Sequence, residues 1–299
     1  MISSSEQGAP LRSWLFTPAN HPRRVEKALS LDVDVVLIDL EDACAEAEKD
    51  AARETVRDAL EGPRRGRGHV RINALSTGRA EGDLDALVGY GLDGVMLPKI
   101  ERADDLRAVD DMITELERVR GLSHGAVDLV PLIETGLALA DVRAIVHGCA
   151  RVRRFAFGSG DFCLDMGLFP GPDEIELLPF RAALVLAARA EGLEPPIDCA
   201  WLNVDDKDGM ARSAGRTRRM GFQGKLCIHP DQAPVVHAAF APSLEERQRA
   251  GRIIEAFEAA EADGLAAIKV DGLLVDYPIY YKAQRLLADA QRAERAGRG

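Results

Sequence analysis

The chain has 299 residues, 46% hydrophobic and 29% charged, a composition ordinary for a globular protein with room for one large domain or two small ones. A formal net charge of -11 argues against a nucleic-acid or anionic-membrane binder, since both need a basic face. The five cysteines, Cys44, Cys149, Cys163, Cys199 and Cys227, form no C-x-x-C pair, so neither a structural zinc nor a disulfide framework is indicated, and a reducing compartment fits.

The first residues, Met1-Ile-Ser-Ser-Ser-Glu-Gln-Gly8, lack the basic-then-apolar order of a targeting peptide, and no apolar run is long enough to span a bilayer. A short loose tail on a cytoplasmic protein is expected. From Ser13 onward, short runs rich in Val, Ile, Leu and Phe alternate with longer amphipathic stretches, as parallel strands buried on both faces alternate with crossover helices. The predicted strands are 13–17, 35–40, 69–72, 94–99, 129–133, 154–158, 197–201 and 225–229. Helical spacing occupies 23–31, 49–60, 82–90, 103–119, 138–147, 178–191, 208–220 and a long stretch from Pro234 toward Ala262. Eight such units in about 250 residues match a (β/α)₈ TIM barrel. The competing open dinucleotide-binding sheet has little support, because Gly158-Ser-Gly-Asp-Phe-Cys163 lacks a third glycine and does not follow the first strand. Beyond residue 262, Asp271-Gly272 between apolar residues predicts a hairpin, and a helix over 279–295 ends the chain. The expected organisation is a barrel over 1–262 and a C-terminal hairpin-plus-helix extension over 263–299.

A barrel builds its active site at the carboxyl ends of its strands. Here those positions carry Asp39, Glu41 and Asp42, then Arg71 and Asn73, Lys99 and Glu101, Glu134, Asp161, Asn203 and Asp205, and His229. So many carboxylates at one mouth repel one another unless a cation sits among them. The runs ending at Glu134 and Asp161 outline a metal site, and oxygen-only ligands favour Mg²⁺, with Mn²⁺ as the substitute. Arg71, on a strand, supplies a planar fork for a substrate carboxylate. Together these describe a site for a 2-oxo acid chelated to a cation and anchored by arginine. Blander roles exist for several of them. Asp39 or Asp42 could be half of an ion pair, Glu134-Thr135 could open the next helix, and His229 before Pro230 could be structural. Lys99 could form a Schiff base in a metal-free aldolase or hold the structure together.

Read in order, Arg12-Ser-Trp-Leu-Phe-Thr-Pro18, Val36-Leu-Ile-Asp-Leu-Glu-Asp42, Val70-Arg-Ile-Asn73, Val95-Met-Leu-Pro-Lys99, Pro131-Leu-Ile-Glu-Thr135, Phe157-Gly-Ser-Gly-Asp161, Cys227-Ile-His-Pro230 and Val270-Asp-Gly-Leu-Leu-Val-Asp276 resemble the HpcH/HpaI aldolase and citrate lyase superfamily, in its citrate-lyase-β-like branch of CoA-ester lyases. The resemblance covers nearly the whole chain and implies a TIM barrel assembled as a homotrimer or hexamer. It implies Glu134 and Asp161 as Mg²⁺ ligands, Arg71 as the carboxylate clamp, and Asp276 as an acid/base reaching a neighbouring subunit's site. Asp39 and Asp42 join the catalytic candidates. Glu134 and Arg12 are candidate substrate contacts, and Arg12, Arg23 and Arg24 are candidates for the CoA phosphates. The aldolase branch has a histidine at the position of Asp42, which points away from a free 4-hydroxy-2-oxo-acid aldolase. The implied activity is a carbon–carbon lyase that splits a citramalyl-CoA or malyl-CoA type ester into an acyl-CoA and a 2-oxo acid. A citryl-thioester lyase working with a carrier protein, a malyl-CoA thioesterase and a non-catalytic CoA-ester sensor are the alternatives.

Overall fold

Eight apolar runs pair into a closed parallel barrel in chain order, the last strand returning to the first, in a computed structural model that describes residues 11–89 and 91–296. The strands are β1 (Ser13–Pro18), β2 (Val35–Asp39), β3 (Arg67–Arg71), β4 (Gly94–Leu97), β5 (Asp128–Ile133), β6 (Ala156–Phe157), β7 (Ile197–Asp198) and β8 (Gly224–Cys227). Between and after them run α1 (Pro22–Leu29), α2 (Lys49–Glu61), α3 (Ala80–Leu87), α4 (Ala103–Val119), α5 (Gly136–Ala140), α6 (Val142–Val146), α7 (Ser159–Met166), α8 (Leu178–Ala190), α9 (Lys207–Met220) and α10 (Gln232–Phe240). All five residues of β2 are buried, which is why its sequence is apolar without alternation. Trp14, Leu37, Met96, Val130, Leu132 and Leu226 fill the barrel interior, each large buried side chain contributing roughly 1.5–3 kcal/mol. The barrel belongs to a compact unit over Leu11–His237.

The TIM-barrel expectation therefore holds, with local departures. Strands β6 and β7 are two residues each and join through the single pair Ala156↔Ile197, shorter than their apolar runs suggest. The predicted helix over 138–147 is two short ones meeting at Asp141. Helix α7 adds an element to those predicted. The long stretch from Pro234 breaks at Ala241-Pro242-Ser243, because proline interrupts the first helix and Ser243 opens the next. Among the described residues no helix is long and apolar enough to cross a membrane.

Arg12 precedes β1, at the amino end of the barrel. There Asp34 accepts from the amides of Arg12 (2.7 Å) and Ser13 (3.0 Å), while His237 Nε2 lies 3.2 Å away. Burial pushes the Asp34 carboxyl up, but the His237 hydrogen bond and the Arg12 charge outweigh it and hold the group at about 2. A depressed carboxylate contributes stability above its unfolded value of 3.8 and loses it as pH falls toward about 2. Asp34→Asn is expected to cost roughly 2 kcal/mol at pH 7, the gap from the native protein closing through that acid window in urea unfolding curves.

The C-terminal unit holds α11 (Leu244–Ala262), the antiparallel pair β9 (Ile268–Val270) and β10 (Leu273–Val275), and α12 (Tyr277–Ala296). Helix α11 starts with a complete capping box between Ser243 and Glu246. Asp271 and Gly272 have φ of 48° and 81°, the doubly left-handed geometry of a type I′ turn. Ile253, Phe257, Val275 and Tyr280 form this unit's own small core, with Phe257 stacked on Tyr280 at 4.9 Å between centroids. Asp276 stands at the start of α12, where Oδ1 accepts a 3.4 Å bond from the Ile279 amide.

Candidate active site

The register between β2 and β3 places Asp39 beside Arg71 at the carboxyl end of the barrel. Arg71 donates Nε to Asp39 Oδ1 at 2.8 Å and Nη2 to Oδ2 at 2.6 Å, a bidentate pair, and its guanidinium lies 5.0 Å from the centroid of the Phe16 ring. Asp39 also accepts the amides of Glu41 and Ala43, each at 3.0 Å. All of its capacity goes to holding the turn and the guanidinium, the ion-pair role weighed for it beside the catalytic one. Burial alone would lower the Arg71 pKa, but Asp39, Glu41 and Asp42 raise it and fix the positive charge.

Glu134 follows β5 with 1% exposure. The next helix is capped by the Thr135 hydroxyl, which accepts the Ala138 amide at 3.1 Å, so Glu134 is released from that duty. One oxygen, Oε1, accepts the Lys99 amide at 2.7 Å. Burial, helped by the charges of Glu41 and Asp161, pushes the Glu134 carboxyl to about 8, against the pull of the Lys99 amide and Arg71. Asp161 comes from the first turn of α7 and is half-buried. Both carboxylates, with Arg71, Asp42, Phe16, Leu132 and Phe157, line one cavity of about 430 Å³.

The cavity depends on Gly158. A Cβ there would stand 2.7 Å from both Cβ and Oε2 of Glu134, although the φ of -99° suits any residue. Gly158→Ala is therefore expected to displace the Glu134 carboxylate and lower kcat/KM by about 10²-fold, with an overpacking cost to stability of about 1–3 kcal/mol, both read by pairing kinetics with a melting curve.

The remaining strand-end residues divide cleanly. Glu41 is 4% exposed and lies 2.8 Å from both Arg71 Nη1 and Lys99 Nζ, yet neither contact has the angles of a hydrogen bond. Asp42 is more exposed, 3.7 Å from Arg71 and 3.4 Å from Lys99. Asn73 is buried behind them, accepting from Lys49 Nζ and donating Nδ2 to Asp83 at 2.7 Å. Asn203 and Asp205 are exposed, Glu101 is half-buried, and His229 is exposed with Nδ1 accepting the Asp231 amide at 3.2 Å. Arg12 stands at the opposite end of the barrel, tied to Asp34, so it is not a contact of this cavity. That is a correction: a residue preceding a barrel strand faces away from the mouth. Lys99 is held by Glu41, whose adjacent carboxylate, with the charges of Asp42 and Asp161, overcomes desolvation and raises its pKa, which disfavours a Schiff base.

The pair Glu134 and Asp161 fits a hard divalent cation. Burial, with the like charges of Glu41 and Asp161 added to it, forces the Glu134 carboxyl to about 8, and a bound cation relieves that penalty. Among the described residues no three His, Cys, Asp or Glu side chains form a complete metal cluster. Two protein oxygens with the other positions left to water and substrate are the usual arrangement for Mg²⁺.

A family model described as HpcH/HpaI aldolase/citrate lyase matches residues 12–230. The chain is 34% identical to citrate lyase subunit beta of Leuconostoc mesenteroides subsp. cremoris over 92% of each chain. It is 34% identical to (3S)-malyl-CoA thioesterase of Cereibacter sphaeroides over 96% of this chain and 97% of that one. It is 30% identical to mitochondrial citramalyl-CoA lyase of Rattus norvegicus over 95% of this chain and 87% of that one. Among solved structures, CitE from Mycobacterium tuberculosis in complex with magnesium, acetoacetate and coenzyme A superposes with a TM-score of 0.78 at 31% identity, covering 95% of this chain and 98% of that one. With the closed barrel and the matched segment running from β1 past β8, this chain belongs to the HpcH/HpaI aldolase/citrate lyase family.

Proposed function

We propose that this protein is a divalent-cation-dependent carbon–carbon lyase that reversibly cleaves a 3-hydroxyacyl-CoA to an acyl-CoA and a 2-oxo acid. Citramalyl-CoA, giving pyruvate and acetyl-CoA, is the first substrate, and malyl-CoA, giving glyoxylate, the second. The observation that carries this reading is Glu134, buried and held near pKa 8 beside Asp161 and Arg71 in one cavity. Glu134 and Asp161 would hold Mg²⁺, or Mn²⁺ in its place. When bound, the ion supplies positive charge that lowers the cost of negative charge developing on a substrate oxygen. Arg71 receives the substrate carboxylate, with Asp39 fixing its plane. Phe16, Leu132 and Phe157 line the same cavity with hydrocarbon. Asp276, as the acid/base, takes the substrate hydroxyl proton while the carbon–carbon bond breaks, the hydroxyl carbon becoming the 2-oxo carbonyl and the bond's electron pair passing to the thioester enolate, which takes that proton back on carbon. Asp276 is the proposed proton donor, delivered from a neighbouring copy in a homotrimer or hexamer.

The assay supplies citramalyl-CoA and malyl-CoA with Mg²⁺ or with excess chelator and identifies every product. Chelator-sensitive pyruvate or glyoxylate, formed together with acetyl-CoA, is the expected result. Intact hydroxy acid plus free CoA would replace this reading with hydrolysis, the second reading that the thioesterase relative favours. Activity only on a thioester carried by a partner protein would favour the carrier-dependent alternative. For Asp276, mixing Glu134→Gln with Asp276→Asn protein, each inactive alone, is expected to restore turnover once subunits exchange.

A further inference from the structure

Lys99 carries a conformation that its residue type resists. Its φ of 52° is left-handed, and it is neither glycine nor asparagine. Such backbone persists where the surroundings demand it, most often at functional sites. Two contacts give the reason. The amide of Lys99 donates to Glu134 Oε1 at 2.7 Å, and its Nζ lies 2.8 Å from Glu41 Oε1. The other oxygen of Glu41 is 2.8 Å from Arg71 Nη1. One residue thus links the two ends of the site, Glu134 through its main chain and Arg71 through its side chain and Glu41.

We infer that Lys99 is a positioning residue for the oxo-acid clamp, its left-handed backbone seating Glu134 and its ammonium sharing the Glu41 charge so that Arg71 stays available to a substrate carboxylate. Asp39 already engages Nε and Nη2 of Arg71, so Nη1 is the nitrogen for which Glu41 competes with substrate. Both Glu41 oxygens are buried without a hydrogen bond, so its charge must be met by the two cations beside it. With Lys99 present the charge is divided between them. Without it, Glu41 and Arg71 form a closed pair, and the incoming carboxylate meets a neutralised guanidinium. Lys99 is 42% exposed at its side chain, so its replacement leaves the core intact.

The inference rests on the clamp reading of Arg71 above, and the test separates the two. Pyruvate is titrated calorimetrically, in the presence of Mg²⁺, into native protein, Lys99→Met, Lys99→Arg and Lys99→Met combined with Glu41→Gln, with Mg²⁺ alone titrated separately and melting curves as a folding control. Lys99→Met is expected to weaken pyruvate binding about tenfold while Mg²⁺ binding alone is unchanged, since the amide that reaches Glu134 is retained. Lys99→Arg keeps the charge and is expected to bind as the native protein does. The double variant, which removes the competing charge, is expected to recover to within about threefold of native affinity, a rescue that a purely structural lysine would not produce. If Lys99→Met binds pyruvate normally, or if the double variant is no better than Lys99→Met, the inference is overturned while the clamp stands. If native protein binds no 2-oxo acid, the clamp reading falls and this inference with it. Should Lys99→Met melt early, Lys99→Gln replaces it in the same comparison.

Discussion

Glu134→Gln is expected to abolish turnover while making the cation-free protein more stable. Glutamine keeps the acceptor for the Lys99 amide and nearly the same volume, but carries no charge for a cation, so kcat/KM should fall by at least about 10³-fold. The stability gain follows from the native carboxyl standing at about 8 against an ordinary 4.5. A raised carboxyl is no burden below 4.5, where both folded and unfolded chains hold the proton. As pH climbs toward 8, the unfolded chain ionises freely while the folded one resists, and stability drains away. At pH 7 the loss is on the order of 2–3 kcal/mol, and glutamine avoids it. Melting curves in chelator should place Glu134→Gln above the native protein at pH 7 and level with it near pH 4. Adding Mg²⁺ should raise the native midpoint and leave the variant unmoved. A variant that melts lower in chelator at pH 7 would contradict this account of the buried carboxyl.

Arg71→Lys is expected to fail in both respects. Lysine has one charged nitrogen where Asp39 needs two in a plane and Glu41 needs a third, so two buried carboxylates lose partners at once. The cost to folding is roughly 3 kcal/mol, and activity per folded molecule should fall by about 10³-fold because the substrate carboxylate loses its fork. Urea unfolding and kinetics on the same preparation separate the two effects. A variant with native stability would mean that Asp39 is satisfied without the guanidinium.

The barrel was legible because parallel strands are buried on both faces, and a run such as Val35-Val-Leu-Ile-Asp39 has few other uses. Glu134, Asp161 and Arg71 stand out as candidates in the sequence because they end or interrupt such runs, and the structure brings them to one cavity. Asp39 stays open in the sequence between a catalytic candidate and half of an ion pair, because sequence order does not display the cross-strand Arg71 that engages it. What failed has particular causes. Arg12 was misplaced although strand polarity was available: it precedes β1, and the mouth follows it. Helix α7 begins in Ser159-Gly160, a poor start by propensity, with only Phe162 buried, so its apolar pattern is faint. The break before α11 did carry a signal, since Ser243 and Glu246 have capping-box spacing just after Pro242. Glu41 and Lys99 stood among the strand-end residues, but nothing in their identities announces a left-handed lysine or the ion pairs that join Arg71 to Glu134.

The single pair between β6 and β7 also bears on time as well as architecture. Glu134 hangs from a six-residue strand, whereas Asp161 hangs from a helix that follows a two-residue one. Amide hydrogens around Phe157 should therefore exchange with solvent before those of β5, and the site should lose one of its carboxylates while the rest of the barrel still stands. Anything that grips Glu134 and Asp161 together would stitch the thinnest seam of the wall, so occupancy of the mouth would register as slowed exchange in β6.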